Sequence, residues 1–329
     1  MRRISLFVKS VAVTAIIVPL LYVLSLGRYE RAEHWLSDVY FAKEYRAAHI
    51  VGPKIIIVSG SNSLFGFDSK TLENLIGKPV VNIAGHAGLS LEFHIKMVEK
   101  FAKAGDLIVM PLELGYYAAT PDISSWQVAN MSSWGAKYMD WSPELLLSYF
   151  RRSSFTSLLT RALIRRIPSD SPDKVLATVE ANSAIGAIEW HGYSYKSMSS
   201  RGDILLTSAP SIAVHDDTYS NGEVSDFAIR QLQALKARLI ERGANLMLTW
   251  PVTMRNPLFD LSRPKDQLLI QSIKNRLSAA GLPIACNPED FQFERQYFLE
   301  TSYHINAEAA ERRMEVLAAC MMRLSKAAG

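Results

Sequence analysis

Cysteine is scarce in this chain. Two occur in 329 residues, Cys286 and Cys320. That is too few for a disulfide framework, and Cys320 falls in a helical pattern, so both are expected as buried free thiols. No CxxC and no HExxH spacing occurs, which leaves a zinc site without support; no metal and no cofactor are implied. No Gly-Lys-Ser/Thr follows a glycine-rich turn, which removes a phosphate-binding loop. Blocks of like charge are missing as well. The 36 Lys and Arg and 32 Asp and Glu are mixed along the chain and leave a net charge of +4, so neither an acidic tail nor a nucleic-acid partner is indicated. There is no internal repeat and no low-complexity tract. Long apolar runs are also lacking, with one exception.

That exception is the N-terminus. Arg2, Arg3 and Lys9 precede a charge-free run of 18 residues from Ser10 to Gly27. As a helix it reaches about 27 Å, close to the hydrocarbon thickness of a bilayer. A cleaved signal peptide is the rival reading. The run is long for a signal peptide, however, and no A-x-A site closes it. The expectation is a single-pass inner-membrane anchor over residues 1–27, with positive residues kept in the cytoplasm and everything from Arg28 exported. Residues 28–52 mix aromatic and charged side chains at helical spacing and read as a juxtamembrane helix ended by Pro53.

With 49% hydrophobic and 21% charged residues, the remainder has ample material for a core. Strand and helix patterns alternate from Pro53. Strands are predicted at Lys54–Ser59, Pro79–Ala84 and Asp106–Leu112, with helices at Ser69–Ile76 and Ser90–Lys103 between them. Continuous apolar strands separated by helices mean a parallel sheet covered on both faces, hence an α/β domain of three layers over residues 53–329. The alternation stops over about 116–215, an insertion after the third strand. It is rich in Ser, Trp and Tyr, with helical patches at Glu144–Arg152 and Phe155–Ile167. It resumes with helices at Val224–Arg242, Pro264–Ala280 and Ala307 onward, and strands at Asn245–Trp250 and Pro283–Cys286. Trp126, Trp134, Trp141, Tyr116, Tyr117 and Tyr138 crowd the insertion, as its own small core or as sugar-stacking rings.

In open parallel sheets, sites form at the carboxyl ends of strands. Three such ends stand out: SGSNS after the first strand, NIAGHAG after the second and PLELGYY after the third. A fourth segment, YFLETSYHIN, puts His304 just ahead of the last helix, where Asn306 is the natural N-cap residue.

Together these segments resemble the SGNH (GDSL-type) hydrolase superfamily. The resemblance covers most of Lys54–Gly329 apart from the insertion. It is strongest to membrane-anchored members of envelope polymer modification, such as the D-alanyl transfer protein of teichoic acids and exopolysaccharide acetylation proteins. It implies Ser61 as nucleophile, with Ser63 a neighbouring candidate, His304 as base and Glu300 as the acid that orients it. It also implies an oxyanion hole built from the Ser61 amide and Gly88 or Gly85. Asn62, His86 and Glu113 are candidate substrate-site residues, Glu113 equally a structural acceptor. His191 and His215 are read as loop residues. A serine hydroxyl needs a neighbouring base to take its proton, and imidazole serves when a carboxylate fixes its tautomer.

Two departures stand in the sequence. The family acid is usually an aspartate three residues before the histidine, whereas Glu300 stands four before it and Thr301 fills the usual slot. PLELGYY has Glu113 where an oxyanion-holding asparagine belongs, and an ionised carboxylate donates no hydrogen bond. The expectation is an extracytoplasmic acyltransferase acting through an acyl-serine, passing an acetyl group to a polysaccharide beside an integral membrane-bound O-acyltransferase. Transfer to water would make it an esterase. The alternative is a catalytically degenerate scaffold or polymer-binding subunit of a polysaccharide assembly complex.

Overall fold

The protein is described by a computed structural model, which covers residues 2–26, 35–154, 156, 159, 170–186, 188–208, 219 and 223–328. The chain divides into two compact units. One holds Met1–Ser37 and Asp122–Ser169; the other holds Asp38–Pro121 and Asp170–Gly329.

In the smaller unit, helix α1 spans Arg2–Ser25 with Pro19 inside it. Its segment Phe7–Ser25 has 19 residues of mean hydropathy 2.2 and is 6% buried. By length and composition it can cross a membrane, and both an anchor and a signal sequence fit it. Several short elements of the insertion belong to the same unit; Trp134 is buried there, and Trp126 and Trp141 are half-buried. Trp134 Nε1 donates to Asn130 Oδ1 at 2.7 Å, and Trp141 Nε1 to the Ala136 carbonyl at 3.0 Å. Trp141 packs edge-on against Tyr149. These rings form a local core. The predicted helix Phe155–Ile167 and His215 fall almost wholly outside the described residues.

The larger unit is built on four parallel strands: β1 Ile55–Ile57, β2 Val80–Asn82, β3 Leu107–Met110 and β4 Asn245–Leu248, in the order β2-β1-β3-β4. Ile55 pairs with Val80 on one side and with Leu107 on the other, and Leu107 pairs with Asn245. Strands β1 and β2 are fully buried, and their continuous apolar stretches, Ile55–Ile57 and Val80–Val81, fit a sheet covered on both faces. The fifth predicted strand, Pro283–Cys286, shrinks to a single parallel bridge, Leu248 with Ile284. A two-stranded parallel ribbon, Thr253–Arg255 with Gln292–Glu294, was not expected from sequence.

Three findings add to or correct the sequence reading. First, the helix expected within residues 28–52 spans Trp35–His49 (α2) and buries one side. Its Val39, Tyr40, Ala42, Lys43 and Ala47 are buried, and Lys43 Nζ donates to the carbonyls of Asn82 (2.9 Å) and Gly202 (2.7 Å). Second, Cys286 and Cys320 are not free thiols; they form a disulfide with Cα atoms 5.7 Å apart. Third, residues 170–208 of the insertion belong to the larger unit. They open with an unpredicted helix, Pro172–Ile185, capped by Ser171. A disulfide and an N-terminal apolar helix are together consistent with a domain outside the cytoplasm.

Candidate active site

Strands β2 and β3 flank β1, so the connections leave β1 and β3 in opposite directions. Crevices at the carboxyl ends of such neighbours are where open α/β sheets hold ligands. After β1 the chain enters a short helix, Ser61–Leu64 (α3), with Gly60 before it. After β3 it reaches Glu113. The Glu113 carboxylate bridges the crevice: Oε2 accepts the Gly60 N–H and Oε1 the Asn62 N–H, both at 3.0 Å. The amides on either side of Ser61 are thus occupied, while the Ser61 N–H donates to no acceptor among the described residues. A side chain at position 60 has no room, since a Cβ would lie 2.5 Å from Glu113 Oε1 and 2.9 Å from Ala87 Cα.

Beneath this turn lies a second set of buried partners. Asn62 Nδ2 donates to the Pro111 carbonyl at 2.9 Å. Arg313, 1% exposed on the last helix Ala307–Ala328, donates from Nη2 to Asn62 Oδ1 and from Nη1 to the carbonyls of Asn62 and Gly66. Burial pulls the Arg313 guanidinium down to about 9, against the charge of Glu113, which raises it. Burial raises the Glu113 carboxyl, and the Asn62 and Gly60 hydrogen bonds oppose that rise. Asn62 and Glu113, candidate substrate-site residues by sequence, are therefore enclosed in the support of the turn. Asn82 adds to it, donating from Nδ2 to the Ser63 carbonyl (2.5 Å) and to Asp203 Oδ1 (2.9 Å). Ser63 is fully buried, whereas Ser61 is half-exposed.

The glycine segment after β2 is also engaged. The Gly85 N–H donates to the Ser59 carbonyl at 3.0 Å, extending the sheet pairing. The Gly88 N–H donates to His86 Nδ1 at 2.9 Å. Neither amide is free for an oxyanion in this conformation. The segment is held by Tyr116, whose hydroxyl lies 3.1 Å from the Ala87 carbonyl and 3.0 Å from that of Leu89. With one proton to give to these carbonyls, the hydroxyl accepts from His94 Nε2, 2.9 Å away. Burial drives the His94 pKa down to about 3, so His94 is a neutral prop.

His304 sits on a turn shaped by its neighbours. Its N–H donates to Thr301 Oγ1 at 3.2 Å, and its carbonyl accepts from the Leu299 N–H at 2.8 Å. This turn folds residue 300 back over the ring, so His304 Nδ1 lies 2.6 Å from Glu300 Oε1, with both side chains 5% exposed. Thr301 closes the turn. Burial raises the Glu300 pKa, but the hydrogen bond and charge of His304 outweigh it and hold the carboxyl below its ordinary value. An ionised carboxylate only accepts, so the proton sits on Nδ1 and leaves Nε2 as the basic nitrogen of the neutral ring. The ring is also held by packing: His304 stacks on Phe65 at 4.2 Å and 17°. Phe65 lies one helical turn after Ser61, and its N–H donates to the Ser61 carbonyl at 2.9 Å.

The fold thus brings the Glu300–His304 pair onto the turn that carries Ser61. No hydrogen bond joins Ser61 Oγ to His304 among the described residues. Asn306 caps the last helix, accepting the Ala309 N–H at 3.0 Å. His191 is exposed, its N–H bound to Ser197 Oγ. Among the described residues no group of three His, Cys, Asp or Glu could hold a metal ion. Three contributors escaped the sequence reading: Arg313, Asn82 and Tyr193, whose hydroxyl donates to Glu300 Oε1 at 2.9 Å. Arg313 had a visible signal, since it breaks the apolar stripe of Ala309, Ala310, Met314 and Leu317. No protein-family model matches this sequence, and no curated protein matches it either; what can be stated of its kinship is an α/β fold with a four-stranded parallel sheet.

Proposed function

We propose that this protein is a membrane-anchored, extracytoplasmic acyl-transfer enzyme of the SGNH type, with Ser61 as nucleophile. One observation carries the reading: a buried carboxylate–imidazole pair, Glu300 to His304 at 2.6 Å, packed through Phe65 on the turn of Ser61. His304 Nε2 takes the hydroxyl proton as Ser61 Oγ attacks the acyl carbonyl. The protonated ring then returns that proton to the leaving group. Glu300 fixes the tautomer and balances the charge that develops on the ring. The Ser61 N–H faces the growing oxyanion, each such donor being worth about 3 kcal/mol. A second donor from Gly88 requires that this amide leave His86. A polysaccharide hydroxyl then gives its proton to His304 Nε2 as it attacks the acyl-serine, and the ring returns that proton to Ser61 Oγ as the acyl group, an acetyl in the simplest case, leaves it. The apolar N-terminal helix and the disulfide support a position outside the inner membrane, where an integral O-acyltransferase could supply the donor.

A second reading, a non-catalytic scaffold that binds polymer, is favoured by the engaged amides of Gly85 and Gly88. A fluorophosphonate probe separates the two. The enzyme reading expects labelling of the full chain in membranes, lost in Ser61→Ala and strongly slowed in His304→Ala. Absence of labelling in the unaltered protein, or labelling that survives Ser61→Ala, favours the scaffold.

A further inference from the structure

Glu300 Oε1 receives two donors, and only one of them comes from the histidine. The second is the Tyr193 hydroxyl at 2.9 Å. Tyr193 lies in the part of the insertion that belongs to the larger unit, and its backbone is firmly set. Gly192 before it takes a left-handed φ of 81°, and Ser197 Oγ donates to the Gly192 carbonyl while accepting the His191 N–H. The segment is stitched to both halves of the site. Ile204 N–H donates to the Leu64 carbonyl at 2.8 Å, and Ala307 N–H to that of Leu206 at 2.9 Å. The ring packs edge-on against Phe65 at 5.6 Å and against Trp190 at 5.1 Å. Phe65 is the same ring on which His304 stacks. Tyr193 and His304 therefore share one aromatic neighbour and one carboxylate oxygen.

Burial does not require this arrangement. Tyr193 is 42% exposed, so its hydroxyl could be satisfied by water at little cost. We infer that Tyr193 is a positioning residue, a fourth member of the Ser61–His304–Glu300 constellation, which clamps Glu300 in line with His304 Nδ1. This rests on the acyl-transfer reading of Ser61. Glu300 Oε2 is buried without a hydrogen-bond partner, so nothing among the described residues holds the carboxylate from its other oxygen. The rotation of the carboxylate is governed from Oε1 alone. Without the tyrosine hydroxyl the carboxylate has one tether, becomes more basic and binds the imidazolium more tightly.

Tyr193→Phe removes only the hydroxyl and keeps the ring packing. Fluorophosphonate labelling of the full chain should slow by about tenfold, the scale of one hydrogen bond to a charged group. The limb of its pH profile set by His304 should move to higher pH, a change that a merely structural tyrosine would not produce. A second measurement needs no activity: the His304 Nδ1 proton, followed by NMR in 15N-histidine-labelled full-length protein. It should shift in Tyr193→Phe and vanish from its low-field position in Glu300→Gln. An unchanged proton resonance together with an unchanged pH profile overturns the inference. If the unaltered protein is never labelled, the acyl-transfer reading fails, and the NMR measurement alone decides whether Tyr193 governs the Glu300–His304 pair.

Discussion

Replacing Glu113 by glutamine should destabilise the whole domain and misplace Ser61. The carboxylate accepts two buried amides at 3.0 Å, which requires both oxygens to be free of protons; burial pushes the other way. Glutamine keeps one acceptor and points an NH2 at the remaining donor. One buried N–H is then left unpaired, at about 1–3 kcal/mol. The buried Arg313, held to the other side of Asn62 at 2.8 Å, also loses its nearby negative charge. Removing one member of a buried charge set costs about 3–5 kcal/mol, and the two penalties share the same site, so we expect about 3–6 kcal/mol in all.

Thermal unfolding of the full chain in detergent, followed by tryptophan fluorescence, measures this loss. A double-mutant cycle with Arg313→Met isolates the coupling, which should be at least about 0.5 kcal/mol. Fluorophosphonate labelling should fall in the single mutant even where it remains folded. A Glu113→Gln protein within about 0.5 kcal/mol of the unaltered one, with normal labelling, would refute the view that Glu113 holds the turn.

Three further outcomes are expected. The unreduced protein should present no alkylatable thiol, and reduction of Cys286–Cys320, 34 residues apart, should remove about 4 kcal/mol of stability on the loop-entropy account; alkylation without reductant contradicts the bond. Glu300 is held below its ordinary 4.5, so its contribution to stability is complete above that pH and is lost as pH falls through the folded value. Glu300→Gln should therefore flatten the acid limb of a stability-against-pH curve, and an unaltered limb would count against the pairing. Gly60→Ala must displace either Glu113 or the backbone at Ala87, so it should abolish labelling and lower the unfolding temperature; a neutral alanine there would mean the close approach is not needed.

Much of this was legible in the sequence because one physical rule dominates it. Strands covered on both faces become short apolar runs, as in β1 and β3, and β1 to β4 lie within a few residues of their expected ends. Ser69–Ile76 matches its helix. The strand at Pro283–Cys286 failed because an apolar run says nothing about how long the neighbouring strand continues, and here only Leu248 meets it. The helix at Pro172–Ile185 was missed although Ser171-Pro172 is a good start signal; its apolar residues are spread around the helix rather than along one face, which hid it. The disulfide was unreadable for another reason. Helical periodicity buries Cys320 whether or not a partner waits there, and only the tertiary path of residues 283–287 supplies one. At the candidate site, the sequence offers the residue types, but not which amides are engaged. That depends on Glu113 reaching across from a different strand, and on His86 folding back onto Gly88.

The contact between Arg313 and Asn62 joins residues 251 positions apart, and it links the first strand's turn to the last helix. The serine turn therefore has no finished form while the chain is still emerging. Its scaffolding arrives with the same helix that follows His304 and carries Cys320. A chain made from its N-terminal end therefore completes the turn at Ser61 only when this final helix has docked, and any truncation before Arg313 leaves the turn without its buried guanidinium.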